Sequence, residues 1–345
     1  VVEAMKLIAT EGMESPLKAK MVRRQIDRDA RRNGWTDAMI HTMDPEWQWR
    51  VCCARLQMGL LDWEGWEWRN ARAGHDPFPF PIWRGEKVGK LLIYGEQGVG
   101  DEVMFAQCFE DVREWADEVV IECEPRLAPI FRRSFPWAEV HGRSDLRDGS
   151  WIERADAKVL MGDLCKLFRR SEESFRPGAY LVPDPEKVEF WRETLPGSEK
   201  FPGYVGVSWR GRQGVVEPSE LDLHDGRLLV NLQYDGEAFW TPPIDLREDL
   251  EDVFAILSLC EEVITVPNTL AHMAGALGVP GRVWLVPSVE VNNALNWRWF
   301  HMERWHQSLT VYDFRRVPSG KRAMSRGRIV GDHGQSVCRD RRRAG

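Results

Sequence analysis

The chain has 345 residues, with 47 Lys or Arg against 54 Asp or Glu and a net charge of −7. Hydrophobic residues make up 43% and charged ones 29%, the balance of a globular chain that buries a sizeable core, which excludes a disordered or collagen-like class. No run approaches the ~20 apolar residues of a membrane-spanning helix, and charges interrupt the first twenty residues, so no signal peptide is read there and a cytoplasmic location is expected.

In chain order, residues 1–74 read as helical and repeat-like. Ser15-Pro16 and Asp44-Pro45 are helix starts with proline at the first helical position, and the run from Glu46 to Arg72 carries apolar residues at helical spacing. Residues 75–89 hold Pro77, Pro79 and Pro81 and read as a linker. Beyond it the period changes. Short apolar runs at 90–95, 118–123, 138–142 and 157–162 alternate with helical stretches at 103–116 and 127–135, which predicts a parallel sheet covered on both faces. Polar, proline-containing sequence (Pro183, Pro185, Pro196, Pro202) separates this from a second series: strands at 204–209, 228–234, 262–266 and 282–287, helices at 246–260 and 268–278. The expected fold class is α/β, with two Rossmann-like lobes facing a cleft: one over 90–195, the other over 196–316.

Two strand-to-helix turns carry candidate chemistry. The first, GEQGVGDE at 95–102, lacks the Lys-Ser/Thr of a phosphate-binding P-loop and has Val103 where a dinucleotide fingerprint needs its third glycine. Asp101 in this turn reads either as the cap of the following helix or as a group placed to accept a proton from an incoming hydroxyl. The second turn, TVPNTLAHMAGALG, starts a helix at Asn268 or Thr269, and its N-terminal N–H groups favour an anion. His272, one turn in, either donates to that anion or is a structural histidine.

The residues DWEGWEWR at 62–69, Trp83-Arg84-Gly85, LLIYGEQGVGDEVMFAQ, VNLQY, VITVPNTLAHMAGALGVP, Trp297-Arg298-Trp299 and a closing YDFRR follow one another in this order. Together they resemble the glycosyltransferase-like domain of bacterial tetratricopeptide-repeat proteins, itself similar to the ADP-heptose heptosyltransferases and distantly to protein O-GlcNAc transferases. The resemblance covers about residues 55–316. It implies a GT-B fold, an acceptor on the N-terminal lobe, a nucleotide-sugar donor on the C-terminal lobe, and no required metal or further cofactor. By position it makes Asp101 the general base, and it places Gly98, Gly100, Ser208, Trp209, Arg212, Gln233, Asn268, Thr269 and His272 around the donor. Two features depart from the family pattern. The cation that follows the Trp209 turn in relatives has only Arg210, Arg212 and Arg227 as counterparts here, and Trp305-His306-Gln307 replaces a Trp-Tyr-Pro segment.

The resemblance thus implies a transferase that moves a sugar from a nucleotide-sugar to an acceptor hydroxyl. The departures leave open a catalytically silent binding module on the same scaffold. The acceptor is open among glycan, protein and DNA, the last because residues 315–345 hold ten Lys or Arg against two Asp, a net of +8 that leaves −15 for the rest. From 317 on this basic stretch reads as an extended arm, which either solubilises the chain or contacts phosphates. The seven cysteines are scattered without metal-ligand spacing and read as reduced, buried thiols. Of the 17 tryptophans, Trp209 is the one expected at a cleft turn, the others belonging mostly to scaffold motifs.

Overall fold

A computed structural model describes residues 48–49, 52–53, 55–56, 61–67, 69, 78–96, 98–143, 154–197, 201–211, 214–217, 226–236, 238–285 and 301–313. The helices expected in residues 1–47, the arm from 317 onward, Arg212, Trp297 and Trp299 lie outside these residues.

A one-turn helix, α1 (Trp63–Trp66), opens the described core, its N-terminus capped by Asp62 Oδ1, which accepts from Gly65 N at 3.1 Å. The first lobe then runs β1 (Val88–Tyr94), α2 (Val99–Phe105), α3 (Phe109–Val112), β2 (Ala116–Cys123), α4 (Ala128–Ser134), β3 (Glu139–Gly142), β4 (Ala157–Leu160) and α5 (Leu164–Phe168). Its strands pair in parallel in the order β3-β2-β1-β4. Leu91, Leu92, Ile93, Val120, Ile121 and Val159 are all buried, which is why these strands read as unbroken apolar runs: Leu91, Ile93, Ile121 and Val159 face the helical core, and Leu92 and Val120 on the other face pack with Phe78 and Phe80 of the segment before β1.

A helix, α6 (Pro185–Thr194), occupies part of the polar, proline-containing stretch between the two series. Its start is Asp184-Pro185, the same cue read at Asp44-Pro45, and Asp184 Oδ1 accepts from Glu186 N at 2.9 Å. The second lobe follows as β5 (Tyr204–Ser208), a two-strand hairpin β6 (Arg210–Gly211) and β7 (Gly214–Val215), β8 (Leu228–Asn231), α7 (Leu250–Leu259), β9 (Glu262–Thr265), α8 (Thr269–Ala276), β10 (Gly281–Leu285), α9 (Met302–Trp305) and β11 (Leu309–Asp313). Its five main strands are parallel in the order β11-β10-β9-β5-β8. The α/β, two-lobed architecture expected from the sequence is therefore present.

In each sheet the strand order reverses once, at β1/β4 and at β5/β9, and such switch points open a crevice at the carboxyl ends of the strands. The two crevices face each other because α2 packs on α8. Gly100 makes the approach possible: a β-carbon there would lie 3.3 Å from Thr269 Cα and 3.1 Å from His272 Cδ2. The C-terminal elements return to the first lobe through Trp305, whose ring meets Phe105, Trp63 and Phe175 edge-on at 6.0, 6.2 and 5.0 Å. Gln107 Nε2 donates to Trp305 O at 2.6 Å. Arg133 on α4 grips both carboxylate oxygens of Glu251 on α7, at 3.0 and 2.8 Å. Cys52, Cys53, Cys108, Cys123, Cys165 and Cys260 are buried free thiols. Among the described residues no helix is long and apolar enough to cross a membrane.

Candidate active-site cleft

The interlobe crevice is a cavity of about 470 Å³. Gly98, Gly100 and Asp101 line it from the first lobe, and Ser208, Asn268, Thr269 and His272 from the second. Seven of the ten residues singled out in the sequence thus converge on one space, although the chain separates the two groups by more than a hundred positions.

The glycine loop is rigidly founded. Its helix begins at Val99 with Gly98 as N-cap, earlier than the apolar pattern indicated, so Asp101 lies in the first helical turn and not at the cap itself. Asp101 Oδ2 accepts from Gly98 N at 3.4 Å, a long contact. The backbone at Gly98 is ordinary extended structure (φ −120°), and a β-carbon there would meet only Asp101 Oδ2, at 3.8 Å. The fold does not demand a glycine at 98, so the bare backbone is available to the cleft.

The acidic pair of the loop splits in function. Asp101 borders the cavity, whereas the neighbouring Glu102 is fully buried beneath it. Glu102 Oε2 accepts from Glu124 N at 2.7 Å and Oε1 pairs with Arg143, which also donates from Nε to Glu122 Oε1 at 2.7 Å. Glu122 Oε2 in turn accepts from Gly95 N at 2.8 Å, at the start of the loop. Burial pushes the Glu102 carboxyl up to about 7 despite the pull of Arg143.

Arg69, from the helical segment before the linker, holds the other side of the loop. Its Nε donates to Glu96 Oε2 at 2.7 Å, Nη2 pairs with Glu96 Oε1, and Nη1 reaches Asp163 Oδ1 at 2.6 Å and Trp66 O at 2.8 Å. Glu96 Oε1 also accepts from Gly162 N at 2.9 Å, so one carboxylate ties β1's exit to β4's. Burial disfavours the Arg69 cation, but Asp163 and Glu96 outweigh it and hold the guanidinium above its ordinary range.

On the second lobe a chain of hydrogen bonds fixes the rim. Asn268 caps α8, its Oδ1 accepting from Leu270 N at 3.0 Å, while its Nδ2 donates to Ser208 Oγ at 2.7 Å and Arg210 O at 3.1 Å. Ser208 Oγ donates to Gln233 Oε1 at 2.8 Å, which also accepts from Arg210 N at 3.0 Å. Asn268 Oδ1 is shared with Thr265 Oγ1 at 3.1 Å. Asn268 thus satisfies Leu270 N, and the start of α8, where N–H groups lack intrahelical acceptors, lies on the cavity wall at Thr269 and Leu270. His272 is buried at the cleft wall, its Nδ1 3.2 Å from His306 Nε2.

Two expectations about individual residues are modified, and a third residue is not described. Gln233 does not border the cavity; it sits beneath the rim, 2% exposed, and acts on Ser208 and Arg210. Trp209 also turns away: it is buried with Val205, Val207 and Ile264, and its ring meets Phe239 edge-on at 5.8 Å. Arg212 lies outside the described residues. Of the cations considered in its place, Arg227 is engaged by Glu262 at 2.8 Å, whereas Arg210 lines the cavity and pairs with Asp235 at 3.1 Å.

Sequence reading missed Arg126, Arg247 and Tyr234, which also line the cavity. Arg126 lies in the turn of Pro125–Leu127 just past the end of β2, at the carboxyl edge of a parallel sheet, where a ligand-facing residue is expected once the sheet order is known. Its Nη1 donates across the lobes to Arg247 O at 2.8 Å. Arg126, Arg210 and Arg247 therefore give the cleft cations from both lobes, and Tyr234, 63% exposed, gives it a flat aromatic wall.

No family model matches the chain. Protein FlbA of Caulobacter vibrioides is 34% identical over 264 residues, covering 63% of this chain and 44% of FlbA. The chain thus spans less than half the length of that curated relative. Among solved structures, a glycosyl transferase family 9 protein from Veillonella parvula DSM 2008 aligns over 67% of this chain and 89% of its own at 10% identity and a TM-score of 0.49. The ADP-heptose LPS heptosyltransferase II of E. coli aligns over 64% and 89% at 13% identity and a TM-score of 0.42. At these identities and scores the two likenesses assign no activity to this chain.

Proposed function

We propose that the cleft binds a nucleotide-sugar and transfers its sugar to an acceptor hydroxyl. The observation that carries this reading is the meeting, in one cavity of about 470 Å³, of a carboxylate from one lobe and a helix N-terminus flanked by arginines from the other. A sugar diphosphate needs both: an anion site for the group that leaves, and a base on the opposite side for the hydroxyl that attacks.

In this reading the diphosphate lies at the start of α8, against Asn268 and Thr269, with Arg210 and Arg247 balancing its charge. Gly98 leaves the backbone open to the sugar diphosphate, while Gly100 lets the two lobes meet beside it. Asp101 takes the proton of the acceptor oxygen as that oxygen bonds to the anomeric carbon. The bond from that carbon to the diphosphate oxygen breaks, and the electron pair leaves with the nucleoside diphosphate, whose new charge meets α8 and the arginines. Ser208 and Gln233 keep Asn268 and Arg210 in register. A positioned base contributes about 10²–10⁴-fold in rate. Asp101→Asn should therefore remove nucleotide-sugar turnover, measured as release of nucleoside diphosphate with acceptor present, while calorimetry still registers donor binding. Unchanged turnover in that variant would take Asp101 out of the role of base.

A further inference from the structure

His306 belongs to the segment in which the sequence departs from the family pattern, and the structure gives that departure a place. The residue is 1% exposed, its ring stacks on Tyr180 at 6.3 Å and 11°, and its Nε2 faces His272 Nδ1 at 3.2 Å. Gly275 of α8 admits the ring, since a β-carbon at that position would fall 2.1 Å from His306 Cγ. Burial alone holds the His306 imidazole down to about 3, so it is neutral near pH 7 and carries one ring proton. Its Nδ1 is buried with no hydrogen-bond partner among the described residues.

These facts decide where that proton sits. If it were on Nδ1, a buried N–H would be stranded, the kind of orphan that folded proteins rarely contain. On Nε2 it is donated to His272, and only a bare lone pair is left unmatched. His272 Nδ1 is then the acceptor, so the proton of a neutral His272 must be on Nε2. The edge of the His272 ring that carries Cδ2, with Nε2 beside it, is turned toward Gly100 at the mouth of the glycine loop.

We propose that His306 is a positioning residue that fixes the tautomer of His272, so that His272 presents Nε2–H to the anion in the cleft. In the transfer reaction, on whose assignment this functional half rests, that N–H donates a hydrogen bond to the diphosphate and so stabilises the leaving charge. Tyr180 and Gly275 keep the His306 ring flat against α8, and Nε2 of His306 thereby acts through Nδ1 of His272.

The tautomers are read directly from long-range ¹H–¹⁵N correlation spectra of the full chain labelled in histidine. Signals are assigned with His272→Gln and His306→Gln. The expected result is both rings neutral and protonated on Nε2 at pH 7; a His272 protonated on Nδ1 overturns the proposal whether or not any nucleotide binds. Calorimetry with inorganic pyrophosphate and with ADP reads the consequence. His306→Phe keeps a ring but no donor and should weaken pyrophosphate about tenfold or more, the scale of one hydrogen bond to a charged group. His306→Gln restores an N–H donor and should recover most of that loss. Equal affinities in wild type and the Phe variant overturn the functional half. If neither pyrophosphate nor ADP binds the wild type, the transferase reading fails, and the spectra still decide the tautomer.

Discussion

Arg69→Ala tests whether the helical segment before the linker is structurally part of the first lobe. Arg69 is 7% exposed and joins Glu96 and Asp163, whose side chains are 10% and 13% exposed. Its guanidinium also lies 4.8 Å from the centre of the Trp66 ring. Truncation takes the guanidinium away from two buried carboxylates, and breaking one partner out of a buried ion pair costs about 3–5 kcal/mol. The desolvation cost falls away if the charges go together, so Arg69→Met combined with Glu96→Gln and Asp163→Asn should recover a large part of the loss. Urea unfolding followed by tryptophan fluorescence, with the slope m unchanged, reads the difference as a shift in midpoint. Because Glu96 also binds Gly162 N, Arg69→Ala should speed hydrogen exchange at the amides of the glycine loop, Gly98 to Asp101. A cost below about 1 kcal/mol in a buried pair of this kind, or a triple variant less stable than Arg69→Ala, would refute the assigned role.

Two further outcomes follow from the loop. Glu102 has a folded-state pKa of about 7 against an ordinary 4.5, so the folded chain holds a proton that the unfolded chain releases. Stability from this group is full below about 4.5 and is lost as pH rises toward 7, by about 3 kcal/mol for a shift of this size. Glu102→Gln should flatten that slope in denaturation curves taken across the range; parallel curves for the two proteins would contradict it. Gly98→Ala should leave the melting temperature unchanged while weakening donor binding, since space for a β-carbon exists only while the cleft is empty. Gly100→Ala should destabilise the lobe contact instead, because the added carbon would meet Thr269 Cα at 3.3 Å. Equal effects of the two alanines on stability would contradict that division.

Much of the fold was legible because parallel strands buried on both faces must be continuously apolar. KLLIYG, EVVIEC and EVITV could therefore be placed within a residue or two of β1, β2 and β9. The helix α6 was hidden by its polar composition, although Asp184-Pro185 announced it. At the site, residues at strand exits were legible but their directions were not. Ser208 and Trp209 are consecutive, and the alternation of an extended chain sends one to the cleft and the other to the core. Arg126 and Arg247 come together only when the lobes do, and His306 meets His272 from 34 positions away, so neither pairing has a local signal.

A crystal structure of the chain soaked with nucleotide-sugars carrying adenine, uracil and guanine tests whether a diphosphate binds at α8 opposite a base on the glycine loop. One of them is expected in the interlobe cleft. Its diphosphate would lie within hydrogen-bond reach of the first-turn amides of α8, and its anomeric carbon would be open on the side of Asp101. Density for the diphosphate elsewhere on the molecule, or an anomeric carbon turned away from Asp101, would contradict it.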